Sequence, residues 1–265
     1  MGQLQRLAIA VHQCRHPTIL LTAAQQHYLS RVLRLKEGDR FIALCSSDWW
    51  LAELCPDQTA QMIEQIAAQT ELMQPITLCA ALMKGQGFED VVRAATELGV
   101  SHIVPLLSDR TLVNPSEQKL ERWRRIAVEA AEQSCRQQVP EILFPIRFEQ
   151  ALSLCVNQDR RSGKDGLQAV QTTDGHDGQN HLICVTREET PNLLSTLGKL
   201  PKLGMLIMVG PEGGWTAAEE DLAIAQGFTP VSLGRRVLRA VTASIAAVSI
   251  LSTHLESTHL KNVQE

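Results

Sequence analysis

The residues Gly210-Pro211-Glu212-Gly213-Gly214-Trp215-Thr216 directly follow the apolar run 203–209. Glycines at a strand exit let a ligand approach the backbone. The exits of parallel strands are also where open α/β sheets bind ligands. Phosphate is a poor fit: Pro211 has no N–H to offer, Glu212 repels an anion, and no lysine follows. A cationic or neutral ligand suits the loop, and so does a tight turn that binds nothing. Thr216 and Glu219 have the spacing of a capping box, so a helix is expected to start there.

A second segment, Leu233-Gly234-Arg235-Arg236-Val237-Leu238-Arg239-Ala240-Val241-Thr242-Ala243, again joins a strand to a helix. Its arginines could hold RNA phosphates or position a base, or form an exposed basic turn. Thr242 is placed to cap the next helix, whose apolar face includes Ile245, Ala246, Val248 and Leu251. A third feature lies on a helix expected at 116–137 and opened by Ser116. Leu120, Trp123, Ala127 and Ala130 make its apolar stripe, while Arg122, Arg125, Glu129, Gln133 and Arg136 recur on another face. Metal and serine-nucleophile chemistry find little support. There is no Cys-x-x-Cys, the His12/Cys14/His16 group lacks a second cluster, and no Gly-x-Ser-x-Gly elbow occurs.

These loops need strands and helices to hold them. Apolar runs at 76–82, 103–106, 181–185, 203–209 and 230–233 alternate with helical patterns, one at 86–98 ended by Gly99. That alternation predicts a parallel α/β sheet. Residues 1–73 read as a separate small β-rich domain and 74–265 as the α/β domain. Within the first, 29–35 is expected as a short amphipathic helix, 40–45 and 49–54 as a hairpin. Trp49 and Trp50 suit either base stacking or the hairpin core. Residues 157–180 are polar and almost free of large apolar groups, as in a surface insertion.

Composition narrows the function classes. A net charge of −4 excludes a generally basic nucleic-acid coat, yet residues 1–40 carry six basic side chains against two acidic ones. That local surplus fits a phosphate-contacting surface or a solvated face. Aromatics at 4% exclude a large base-stacking platform. Seven cysteines, an odd number, suggest reduced thiols rather than a disulfide framework. No apolar run approaches the ~18 residues of a membrane-spanning helix, and the N-terminal residues lack a secretory pattern. A cytoplasmic protein is the expectation.

With these motifs in order, the chain resembles the ribosomal RNA small subunit methyltransferase E family of the SPOUT superfamily. The resemblance rests on Gly210-Pro211-Glu212-Gly213-Gly214 and on 233–239. It also rests on Arg31-Val32-Leu33-Arg34-Leu35-Lys36-Glu37-Gly38-Asp39, Lys84-Gly85, Thr96-Glu97-Leu98-Gly99-Val100 with Pro105, and the segment 129–142. It spans about residues 6–255, leaving out 157–180. The pattern departs at two places. Val241 stands where the family usually has a glutamate, so a role for that carboxylate does not carry over. Cys135 stands where the family usually has glycine.

The resemblance implies a PUA-like RNA-binding β-barrel over 1–73 and a SPOUT-type α/β domain with a C-terminal trefoil knot over 74–265. It implies a homodimer that uses S-adenosyl-L-methionine to methylate N3 of one uridine in the 16S rRNA of the small ribosomal subunit. No metal or membrane is implied. The cofactor would lie against Met208, Val209, Gly210, Gly213, Gly214, Leu233, Gly234, Val237, Leu238 and Thr242. Arg239 would stabilise the anion formed at N3, with Glu212 or a water taking the proton and Glu188 a further candidate acid. Arg6, Arg31, Arg34, Lys84, Arg136 and Arg236 would contact RNA. The alternatives are an rRNA-binding assembly factor that has lost transfer, and a related knotted enzyme acting on tRNA or on ribose.

Overall fold

The computed structural model describes residues 4–45, 48–57, 59–66, 70–111, 115–156, 179–201 and 203–262. Of the insertion expected at 157–180, all but the last two residues lie outside the described residues. The chain divides into two compact units, one of Met1–Glu71 with Ala127–Val139, the other of Leu72–Ile126 with Pro140–Glu265.

The first unit holds β1 (Arg6–Ile9), β2 (Cys14–Arg15), β3 (Thr18–Leu20), α1 (Ala23–His27), β4 (Arg40–Cys45), β5 (Asp48–Leu54) and β6 (Thr59–Ile66). Its sheet has the order β1-β4-β5-β6-β3-β2, with β1 parallel to β4 and the other pairs antiparallel. The expected hairpin is present, Ala43 facing Trp50 across it. Alternation puts the two tryptophans on opposite faces. Trp49 is buried with Ile42 and Leu44, and Trp50 packs against the main core around Phe41 and Leu29. Both side chains therefore serve the hydrophobic interior.

The helix expected at 29–35 is not one helix. A wider turn over Tyr28–Val32 extends α1, and Leu33 N–H reaches back five residues to the Tyr28 carbonyl. Arg34 then adopts a left-handed φ of 58°. This turn buries Leu29 completely and leaves Arg31 and Arg34 exposed.

The second unit is built on β7 (Ile76–Ala81), α2 (Gly87–Glu97) and β8 (His102–Leu107). There follow α3 (Glu117–Ser134), β9 (Glu141–Ile142), β10 (Ile146–Arg147), α4 (Phe148–Val156), β11 (Gln179–Cys184) and α5 (Leu193–Leu197). The chain continues through β12 (Gly204–Val209), α6 (Ala217–Ala225), β13 (Thr229–Val231) and α7 (Ala240–Asn262). The residues of α3 are shared between the units. The sheet order is β10-β8-β7-β12-β11-β13, with β9 also beside β8, and every pairing is parallel. All six residues of β7 and all six of β12 are buried, as strands covered on both faces must be. The α/β expectation is met.

The apolar stripe of α3 is buried as its spacing requires, and Arg122, Arg125, Glu129 and Gln133 are exposed. Arg136 is a correction. The helix ends at Ser134, Cys135 takes a left-handed φ of 66°, and the chain turns inward. Arg136 is 3% exposed and ion-paired with Glu71, so it cannot face RNA. Glycine adopts the left-handed conformation of residue 135 without the steric penalty that a cysteine bears. Glu71 further accepts the backbone N–H groups of Gln137 and Gln138 at 2.7 and 3.2 Å. Removing one partner of such a buried pair is strongly destabilising. Glu71→Ala is expected to lower unfolding free energy by about 3 kcal/mol in urea titrations; a change below about 0.5 kcal/mol, the range of an ordinary surface substitution, would show that the pair is not structural.

Candidate functional site

Because β11, β12 and β13 are parallel neighbours, their C-terminal ends open on the same edge of the sheet. Three segments leave that edge: Val185-Thr186 after β11, 210–216 after β12 and 232–239 after β13. Together they enclose a pocket of about 200 Å³. The two glycine-bearing segments identified in the sequence thus converge on one cavity, and the end of β11 supplies its third side.

Local chemistry shapes each wall. Trp215 is buried; its indole N–H donates to the Cys184 carbonyl at 3.0 Å and its ring lies beneath Gly210. A Cβ on Gly210 would sit 3.2 Å from the indole ring, so a side chain there would have to push the buried ring back by a few tenths of an ångström. Thr216 caps α6 as expected: its Oγ1 accepts the Glu219 N–H at 3.2 Å, and the Glu219 carboxylate accepts the Thr216 N–H at 2.7 Å. Gly234 has φ of 118°, a conformation that side-chain-bearing residues rarely adopt.

Most of the residues expected around a ligand line this pocket: Val209, Gly210, Gly213, Gly214, Leu233, Gly234, Val237 and Leu238, together with Glu212 and Arg236. Two do not. Met208 is wholly buried among core side chains such as Phe148 and Ile183, because its position in β12 turns it into the sheet's packing. Thr242 is no cap. The Ala243 N–H already bonds the Arg239 carbonyl at 2.8 Å, so α7 starts two residues earlier and Thr242 lies exposed in its first turn. Arg239 is exposed beside Leu238 and Ala240, which both line the cavity. Among the described residues it makes no ion pair. Glu188 is exposed and outside the lining.

Glu212 is committed in part. Its Oε1 accepts the backbone N–H of Lys84 at 3.2 Å, tying the exposed loop after β7 to the glycine loop. At the next position of interest, Val241 packs against Gly87, whose missing Cβ would lie 2.9 Å from Val241 Cγ2. Val241 thus makes an apolar contact there. Arg31 and Arg34 are exposed, whereas Arg6 is half-buried with its guanidinium 5.6 Å from the Trp49 ring centre.

Sequence reasoning missed the long-range partners of the pocket. Arg110 donates to the carbonyls of Gly213 and Trp215. Glu220 lines the cavity, paired with Arg187, which also bonds Asp221 at 2.7 Å. Nothing in the spacing hinted at these, because contacts over more than thirty residues leave no periodicity to read. No group of three or more metal-ligating side chains occurs among the described residues.

Known proteins resemble this chain in sequence and in fold. A family model described as an RNA methyltransferase domain matches residues 70–252, and one described as an RNA methyltransferase PUA domain matches 21–54. Ribosomal RNA small subunit methyltransferase E of a Synechocystis species is 45% identical over 257 residues, covering 95% of this chain and 78% of that protein. The Bacillus subtilis protein of the same name is 31% identical over 91% of each chain. A crystal structure of the Neisseria gonorrhoeae protein of that name, bound to S-adenosyl methionine, matches with a TM-score of 0.77 and 27% identity, covering 95% of this chain and 98% of that one.

One pocket residue could be mistaken for a nucleophile. Burial pushes the Cys184 thiol up to about 12, so the unreactive protonated form prevails at every pH well below that value. Native protein treated with iodoacetamide at pH 8 is expected to show no alkylated Cys184 peptide by mass spectrometry, and rapid alkylation there would contradict the assignment.

Proposed function

The chain belongs to the ribosomal RNA small subunit methyltransferase E family, and from that premise we propose that it methylates N3 of one uridine in the 16S rRNA. It is an RNA methyltransferase that uses S-adenosyl-L-methionine. The observation that carries the assignment to a site is the convergence of 210–216 and 232–239 on one pocket.

The residues present fit that donor. At Gly214 and Gly234 nothing lies within 4 Å of where a Cβ would stand, which leaves the backbone open, and the carboxylates of Glu212 and Glu220 lie in the lining, suited to a ligand that carries positive charge. Val209, Gly210, Gly213, Gly214, Leu233, Gly234, Val237 and Leu238 would hold it, with Arg236 at the wall. Bound there, S-adenosyl-L-methionine supplies a methyl group already activated by a sulfonium centre.

The acceptor sets what the protein must do. Uracil N3 carries a proton between two carbonyls, and it becomes nucleophilic only as that proton leaves. The negative charge that develops needs a fixed positive environment. Arg239 fits this role, for it remains charged at neutral pH and opens the 23-residue α7, whose N-terminus also favours negative charge. An arginine is no base, so the proton passes to Glu212 or to a water. Glu212 Oε1 is engaged with Lys84, which leaves Oε2 for that task.

We read residues 1–73 as the PUA-like RNA-binding barrel and 74–265 as the SPOUT domain. Exposed Arg31 and Arg34 would contact phosphates, with Arg6, Lys84 and Arg236. A C-terminal trefoil knot is part of the same reading. It is supported by the course of the chain: β13 lies at the sheet edge beside β11, yet α7 packs against α2, β7 and β12, so 232–239 leads back over interior strands. Half-exposed Ile245 and Ile250 on α7 support a homodimer. No helix among the described residues is long and apolar enough to cross a membrane, and a cytoplasmic location suits an enzyme of ribosomal RNA.

Small subunits lacking the modification, incubated with donor carrying a labelled methyl group, are expected to gain label on one uridine of 16S rRNA, mapped by mass to N3. Donor binding without label would favour an assembly factor, and a 2′-O-methyl product would favour another knotted enzyme. Arg239→Ala is expected to keep donor binding within about twofold in calorimetry. It should lower single-turnover methyl transfer by about a hundredfold or more, the usual loss for a group that stabilises charge in the transition state. Full turnover would remove Arg239 from the mechanism.

A further inference from the structure

We propose that Arg110, in the segment between β8 and α3, is a positioning residue that sets the shape of the donor-binding loop. This inference rests on the reading of the pocket as the S-adenosyl-L-methionine site. Arg110 stands more than a hundred residues from the loop in sequence, yet its Nη1 donates to the Gly213 carbonyl and, at 3.2 Å, to the Trp215 carbonyl. A guanidinium has several donors in a rigid plane and can satisfy two carbonyls at once. Within 210–216 the backbone bonds to itself once, Gly214 N–H to the Pro211 carbonyl at 2.8 Å, so the loop is held by side chains: Glu212 on the Lys84 N–H, the Trp215 indole on Cys184, the capping box at Thr216, and Arg110.

The anchoring segment is itself braced. Thr111 Oγ1 accepts the Ser108 N–H at 3.1 Å and lies 2.8 Å from Ser108 Oγ, and the Thr111 N–H bonds the Ser108 carbonyl at 2.9 Å. Next to Arg110, the Asp109 N–H donates to Glu219 Oε1 at 2.9 Å, while Oε2 of the same carboxylate holds the Thr216 N–H. One short segment therefore grips the loop at Gly213, Trp215 and the cap of α6. From Trp215 the constraint passes directly to the cavity, through its indole bond to Cys184 and its ring beneath Gly210.

Gly213 takes on a different meaning in this light. A Cβ there would lie 3.3 Å from Arg110 Cδ, on the anchor side. The glycine makes room for the arginine that holds the loop.

The test compares wild type, Arg110→Ala and Arg110→Lys by calorimetry with S-adenosyl-L-methionine and with its demethylated product, alongside steady-state kinetics and thermal unfolding. Loss of a charged hydrogen-bond donor predicts about a tenfold higher Kd for both ligands in Arg110→Ala. Lysine is expected to recover only part of this, because its shorter side chain does not carry the ammonium to the place of Nη1. At saturating donor, kcat is expected within about twofold of wild type, and the salt dependence of RNA binding unchanged. Donor affinity unchanged in Arg110→Ala, with wild type binding normally, overturns the inference. So does a raised KM for RNA with donor Kd intact, which would make Arg110 a phosphate contact. If wild type itself binds no donor, the pocket reading fails instead. Should Arg110→Ala not fold, Arg110→Gln serves, keeping a polar side chain without the guanidinium. A comparable rise in Kd then supports the inference, and an unchanged Kd overturns it.

Discussion

Parallel strands all release the chain at the same edge, and in this protein the three that matter, β12, β11 and β13, lie side by side. Two loops separated by a helix and a strand in sequence are thereby obliged to meet. Everything chemical in the second unit depends on that constraint. The glycines let the loops approach, but the sheet decides that they approach each other. With β11 antiparallel to both of its neighbours, Val185-Thr186 would leave at the opposite edge, and the pocket would lose its third side.

Under the proposed function, the charges of the site have different tasks. Glu212 and Glu220 belong to the lining around the donor loop, and Arg187 partly balances Glu220. The arginines of 235–239 are exposed, and Arg239 sits at the start of α7. A cationic methyl donor and an acceptor that becomes anionic call for both signs of charge, and the pocket wall carries both, Glu212 and Glu220 with Arg236. A single uniformly basic pocket would serve the RNA and repel the donor.

Much of this was legible in the sequence, for physical reasons. Buried parallel strands leave continuous apolar runs, so β7, β8 and β12 were readable to within a residue or two. The loops were readable because each adjoins such a run and carries residues with distinctive backbone behaviour, and the cap of α6 announced itself by Thr216 and Glu219. Errors clustered where spacing carries no information about direction. Arg136 continues the α3 pattern by count, but a left-handed Cys135 ends the helix first and sends the arginine inward to Glu71. Thr242 has the right type for a cap, yet α7 begins earlier. Met208 shares a strand with lining residues but points into the core. Arg110 and Arg187 act across long sequence separations through side chains, which no periodicity records.

The central claim is that the three strand exits form the donor site. Hydrogen–deuterium exchange of the full chain, with and without S-adenosyl-L-methionine, tests it most directly. The account predicts slowed exchange in peptides covering 184–186, 209–216 and 232–239, with the first unit unaffected. Protection confined to other segments, with those three exchanging as in the free protein, would contradict it.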